Sequence, residues 1–143
     1  MSFVGGNREP ANREPGSVAY PTPLHSPINA RLGVLTEDLP DGRVRLSLET
    51  DASHQNEVGI VHGGVSALLL DGAMGRCVGR TLAPGQSCAT VQLSVQYLAP
   101  AEGRITAVGR VVRRGRTTAF MEAECTREDG TVVARAHGTW VIR

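Results

Sequence analysis

The stretch that decides the fold is His54-Gln55-Asn56-Glu57-Val58-Gly59-Ile60-Val61-His62-Gly63-Gly64, running straight into Val65-Ser66-Ala67-Leu68-Leu69-Leu70-Asp71-Gly72-Ala73-Met74-Gly75. A polar loop closes on two glycines, and the glycines open an apolar segment that reads as a helix to about Arg80. At 100° per residue its apolar side chains point in almost every direction, which is the pattern of a buried helix. Asp71 lies two turns into it, and its neighbours three and four positions away are Ala67, Leu68, Met74 and Gly75, none of them a cation. A carboxylate buried there is costly unless something else satisfies it. Either it caps or pairs with another segment, or it does chemistry. Gly63 and Gly64 leave the first N–H groups of the helix open to close approach, where negative charge is favoured. An oxyanion needs that environment. Ala67, Gly72 and Gly75 read as leaving empty volume beside Asp71, as a substrate channel requires.

On the N-terminal side, residues 1–27 carry five of the eight prolines and no apolar period, so they read as a disordered or loosely docked arm before a domain spanning 28–143. Ser26-Pro27 resembles an N-cap with proline in the first helical position, opening a short helix to about Arg31. Val34 to Asp38 and Val44 to Thr50 flank Pro40-Asp41-Gly42 as a hairpin. In its second strand Val44, Leu46 and Leu48 alternate with Arg45, Ser47 and Glu49. Beyond Leu82-Ala83-Pro84-Gly85 the period turns from helical to alternating. Val91, Leu93, Val95 and Tyr97 read as one strand face, and further strands follow at 104–113, 117–127 and 131–142. Four successive strands joined by tight turns imply sequential hairpins in an antiparallel sheet. One long apolar helix wrapped by a curved antiparallel sheet is α+β. A single helix on a single sheet leaves an edge uncovered, so self-association is expected.

Composition narrows the chemistry. The chain has 143 residues and a net charge of +1, so neither nucleic acid nor an anionic membrane is suggested as a partner. All fifteen basic residues are arginine, which excludes a lysine Schiff base and leaves any phosphate grip to arginine. Cys77, Cys88 and Cys125 are separated and odd in number, pointing to a reducing cytoplasm rather than a disulfide framework or a zinc site. No signal peptide or membrane span is evident. Ser66 lacks the second glycine and the strand–Ser–helix context of a nucleophile elbow.

Asn56-x-x-Gly59-x-x-His62-Gly63-Gly64 followed by Asp71 resembles the signature of hot-dog-fold acyl-CoA thioesterases, and more narrowly the phenylacetate-pathway type of the 4-hydroxybenzoyl-CoA thioesterase superfamily. The likeness runs from about Asn29 to the C-terminus. It implies a hot-dog fold, a dimer or tetramer, and hydrolysis of an acyl-CoA with no cofactor, coenzyme A being part of the substrate. It also implies Asp71 as base or nucleophile and the Gly63 N–H as oxyanion donor, with the Asn56 amide beside it on the thioester carbonyl.

The remaining candidates carry two readings each. In apolar surroundings the Asp71 pKa should rise towards neutrality. Asn56 either polarises the carbonyl or holds a turn. His62 either fixes the glycine loop or acts as general acid, and a thiolate leaves at neutral pH without one, its pKa being about 8.5. Thr90 matches a position where related sequences carry serine or threonine, a role in placing water, or is plain strand propensity. Arg113, Arg114 and Arg116 bracket a glycine and either converge on coenzyme A phosphates or form a solvated hairpin tip. His54, His62 and Asp71 do not have metal-ligand spacing, so no metal is expected. The competing function is a non-catalytic acyl-CoA-binding or sensing module; a hydratase lacks its His–carboxylate pair in one loop.

Overall fold

The computed structural model describes residues 3–4 and 26–143. The expectation of an arm over residues 1–27 falls almost wholly outside them. The elements are β1 (Phe3–Val4), α1 (Pro27–Leu32), β2 (Leu35–Asp38), β3 (Val44–Glu49), a 3₁₀ turn (Ala52–His54), α2 (Gly63–Gly79), β4 (Cys88–Tyr97), β5 (Arg104–Arg114), β6 (Thr118–Arg127) and β7 (Val132–Ile142). Ser26 caps α1 as expected, its hydroxyl accepting from the Asn29 N–H.

All seven strands form one antiparallel sheet in the order β1-β4-β7-β6-β5-β3-β2. The architecture is the expected α+β hot dog, a curved sheet around one long helix, but the connectivity differs from four sequential hairpins. β4 pairs with β7, not with β5. The Leu98 N–H bonds the Val133 carbonyl, and Thr50 bonds the carbonyl of Gly103. The Leu98–Gly103 link therefore leaves β7 and crosses to the β3–β5 side. Proline at 100 supplies no ladder donor there.

α2 rides on the centre of the sheet because β5 carries Gly109 at the crossing. A Cβ there would stand 2.7–2.9 Å from the Ala73 and Met74 backbone. Leu69, Leu70, Met74 and Val78 are fully buried against Leu46, Ile105, Met121 and Trp140. Each such side chain contributes roughly 1.5–3 kcal/mol. The expected burial on all sides holds for the C-terminal half of α2. In the N-terminal half Gly64, Ala67, Leu68 and Asp71 form a stripe that is exposed or half-buried. Gly72 does not open a channel: a Cβ there would sit 2.7 Å from Leu46 Cδ2, so this glycine seats the helix on β3.

Candidate active site

Four backbone donors open α2, and three are consumed. His62 is the N-cap; its N–H donates to the His54 carbonyl at 2.8 Å, and its own carbonyl accepts from Val65 at 2.9 Å. Its ring Nδ1 accepts from the Gly64 N–H at 2.8 Å, which puts the proton of the neutral ring on Nε2. Gly63 alone has an N–H without an acceptor among the described residues. The glycine pair is a packing requirement as well. A Cβ on Gly64 would lie 2.9 Å from His62 Nδ1, and one on Gly63 would lie 3.1–3.2 Å from the Tyr97 ring. Tyr97 also donates its hydroxyl to the Gly63 carbonyl at 2.9 Å. Through its ring His62 thus holds the glycine loop.

The loop before it is built by Asn56 and His54. Asn56 Oδ1 accepts from the N–H groups of Val58 and Ile60, each at 3.1 Å. Asn56 therefore holds a turn, and its Nδ2 donors have no acceptor among the described residues. His54 is buried, with Nδ1 accepting from the Asp51 N–H at 3.0 Å and Nε2 3.1 Å from the Leu32 carbonyl. It ties the loop to the end of α1. Among the described residues no three His, Cys, Asp or Glu side chains gather to hold a metal ion.

Asp71 is half-buried, and its Oδ1 accepts from the Thr90 hydroxyl at 2.9 Å. The pairing depends on a β-bulge. Cys88 and Thr90 lie opposite Ile142 and Trp140, whereas Leu93, Val95 and Tyr97 lie opposite Gly138, Ala136 and Ala134, with the register shifting between Thr90 and Gln92. Val91 is the extra residue and is 49% exposed, so it does not share the strand face read from the sequence for it with Leu93, Val95 and Tyr97. The bulge lets an even-numbered Thr90 face α2 together with odd-numbered Leu93. Cys88 lies close enough that burial, with the Asp71 charge adding to it, pushes its thiol up to about 12.

One chain does not bring all these groups together. Gly63 and Asp71 are eight residues apart on one helix, about 12 Å at 1.5 Å per residue. The arginines at the β5–β6 turn sit at the far end of α2. Arg114 donates to the carbonyls of Gly115 and Arg116, to Thr81 Oγ1 and to Gln86 Oε1, so it braces the turn; Arg113 and Arg116 are exposed. Two arginines the sequence did not single out anchor the same end. Buried Arg76 grips Asp38 through Nε–Oδ1 at 2.9 Å and Nη2–Oδ2 at 2.7 Å, and its guanidinium holds the Asp38 carboxyl below the usual range. Arg80 donates to the carbonyls of Leu39 and Arg43. A 680 Å³ hollow lies on the opposite face of the sheet, where Arg110–Glu122 and Arg135–Glu124 ion pairs cross its floor.

Residues 58–134 match the model of the thioesterase superfamily. The chain belongs to that superfamily. It is a thioester hydrolase with a hot-dog fold. It is 37% identical over 122 residues to a Halobacterium salinarum protein named as an esterase, covering 78% of this chain and 81% of that one. Human acyl-coenzyme A thioesterase 13 is 29% identical over 103 residues, 68% of this chain and 71% of the relative. A Bacillus halodurans protein solved with CoA superposes with a TM-score of 0.78 at 29% identity, over 83% of this thioesterase and 80% of that chain. A phenylacetic acid degradation-related protein of Ralstonia eutropha gives 0.76 at 28% identity, over 84% and 93%. No described helix of this thioesterase is long and apolar enough to cross a membrane.

Proposed function

We propose that this thioesterase hydrolyses acyl-CoA to a free acid and coenzyme A, in a site assembled from two chains. The observation that carries the reading is Asp71, held by Thr90 on the half-open stripe of α2, with the uncommitted Gly63 N–H on the same helix. The human and Bacillus relatives, one named for acyl-coenzyme A and one solved with CoA, support the choice of substrate.

A carbonyl under attack needs its oxyanion donors and its base each within about 3 Å, directly or through one water. Two antiparallel α2 helices about a two-fold axis supply this, with Gly63 and Asn56 of one chain facing Asp71 of the other. The surface suits it. Leu68 lies half-buried on the stripe, and Tyr97, against Gly63 at the helix start, is 56% exposed. Beyond Ala89 the outer edge of β4 has no strand partner among the described residues.

Asp71 either deprotonates a water that attacks the thioester carbon, with Thr90 fixing the carboxylate, or attacks that carbon itself to give an anhydride that water then opens. The Gly63 N–H and the Asn56 amide hold the oxyanion. The C–S bond breaks, and the thiolate leaves without an acid or cofactor. Any grip on the coenzyme A phosphates falls to Arg113 and Arg116, since Arg114 is engaged in its turn.

The test is thiol release from a panel of acyl-CoA esters, followed with a thiol reagent. Turnover of at least one ester by the wild type, with free acid formed in equal amount, is expected. Tight binding of acyl-CoA with no thiol released would instead make the domain a sensor.

A further inference from the structure

We infer that Tyr97 is a positioning residue: its hydroxyl locks the Gly63–Gly64 peptide so that the neighbouring Gly63 N–H is set for the oxyanion before substrate arrives. The inference rests on the role proposed above for that N–H and adds the residue that holds it in place.

Two adjacent peptide planes decide where the Gly63 N–H points. The plane joining His62 to Gly63 contains that N–H, and its carbonyl end is fixed by the Val65 N–H at 2.9 Å. The next plane, joining Gly63 to Gly64, is pinned at both polar ends. Its N–H donates to His62 Nδ1 at 2.8 Å, and its carbonyl, which opens the helical ladder of α2, takes a second bond from Tyr97 Oη at 2.9 Å. Without a side chain on either residue, the backbone at Gly63 and Gly64 has more freedom than any other pair would have. A preorganised donor must lose that freedom before the reaction, because reorganisation during the reaction raises the barrier. Tyr97 removes it from the far side of the helix start, where no other described side chain bonds that carbonyl. Its ring completes the hold, since it packs so close to Gly63 that a Cβ would come within 3.1 Å.

Tyr97 is poorly explained as a core residue. It is 56% exposed in the single chain and ends β4, where an apolar side chain would serve the strand equally well. The hydroxyl is what bonds the helix. Phenylalanine would keep the ring contact and lose only the bond to the carbonyl.

The test is therefore Tyr97→Phe, read in three ways on the full-length protein. Steady-state kinetics on the best acyl-CoA ester should show kcat lowered roughly 10-fold with KM unchanged, as an interaction realised only in the transition state requires. That is less than the ~10²–10³-fold cost of deleting an oxyanion donor outright. Amide exchange at Gly64 should quicken, because the carbonyl then keeps only its helical bond and its peptide plane turns more readily. The melting temperature should stay close to wild type. Unchanged kcat, or a fall in kcat matched by a rise in KM or by a lowered melting temperature, overturns the positioning role. A wild type inert towards every thioester would fail the catalytic reading instead, and unaltered Gly64 exchange in Tyr97→Phe would still overturn the lock.

Discussion

The two ends of α2 are built for opposite purposes. At the C-terminal end three arginines are engaged: Arg76 grips Asp38, Arg80 holds the Leu39 and Arg43 carbonyls, and Arg114 bonds across to Thr81 and Gln86. At the N-terminal end the loop is equally well tied, yet its hydrogen bonds leave chosen donors open, the Gly63 N–H and the Asn56 amide. The difference separates an anchor from a site. Charge is spent at one end on fixing the helix to the β2–β3 hairpin, and at the other the same economy of backbone bonds leaves room for a substrate oxygen.

Damage at the open end should therefore cost rate, and damage at the anchored end should cost stability. The largest effect is expected from Asp71→Asn, which keeps shape and removes the carboxylate. Turnover should fall at least ~10²-fold with the melting temperature preserved. Asn56→Asp is the sharper probe of the loop, because it retains an oxygen for the Val58 and Ile60 N–H groups while deleting the free amide donors. A loss approaching ~10²-fold in kcat, with an unaltered fold by circular dichroism, is expected. Thr90→Val removes only the bond to Asp71 and should lower kcat by about 3- to 10-fold.

At the anchored end, Asp38→Ala should leave kcat near wild type and destabilise by about 1–3 kcal/mol, below the full cost of breaking a buried pair because Asp38 is 35% exposed. Thermal melts read this directly. The pH dependence has a definite sign. The Asp38 pKa is lowered in the folded state, chiefly by its hydrogen bonds from Arg76, so its stabilisation is complete above the ordinary carboxylate pKa. It is lost as pH falls through the lower folded value. Wild type and Asp38→Ala should therefore converge in stability towards the acid end of that window. A constant gap across it would show that the ion pair is not what Asp38 contributes.

The open end was the legible end. Its elements are local in sequence: the glycine pair and Asp71 are read from the residues themselves, Asn56 and His62 enter through the family resemblance, and all sit within sixteen residues. Thr90 was found through its likeness to related sequences, but its geometry was hidden. Strict alternation puts it on the same side as Gln92, and only the extra residue at Val91 turns it to Asp71. The anchored end was illegible for a different reason. Arg76 and Asp38 are thirty-eight residues apart, and nothing in either neighbourhood names the other. Arg114, by contrast, is read from sequence as either a phosphate ligand or part of a solvated hairpin tip, while its partners Thr81 and Gln86 come from a distant loop. Likewise the β4–β7 pairing escapes any reading of successive hairpins, because strand order depends on contacts no turn signal reports.

The central claim is that Asp71 of one chain works with Gly63 and Asn56 of another, and subunit complementation tests it most directly. Inactive Asp71→Asn chains are mixed in equal amount with inactive Asn56→Asp chains, and exchange is confirmed by mass spectrometry. In a mixed dimer one site carries both substitutions and the other carries neither. Half the dimers are mixed if pairing is random, and each has one intact site, so activity should recover to roughly a quarter of wild type. Exchanged subunits that remain inactive would mean each chain builds its site alone, contradicting the account.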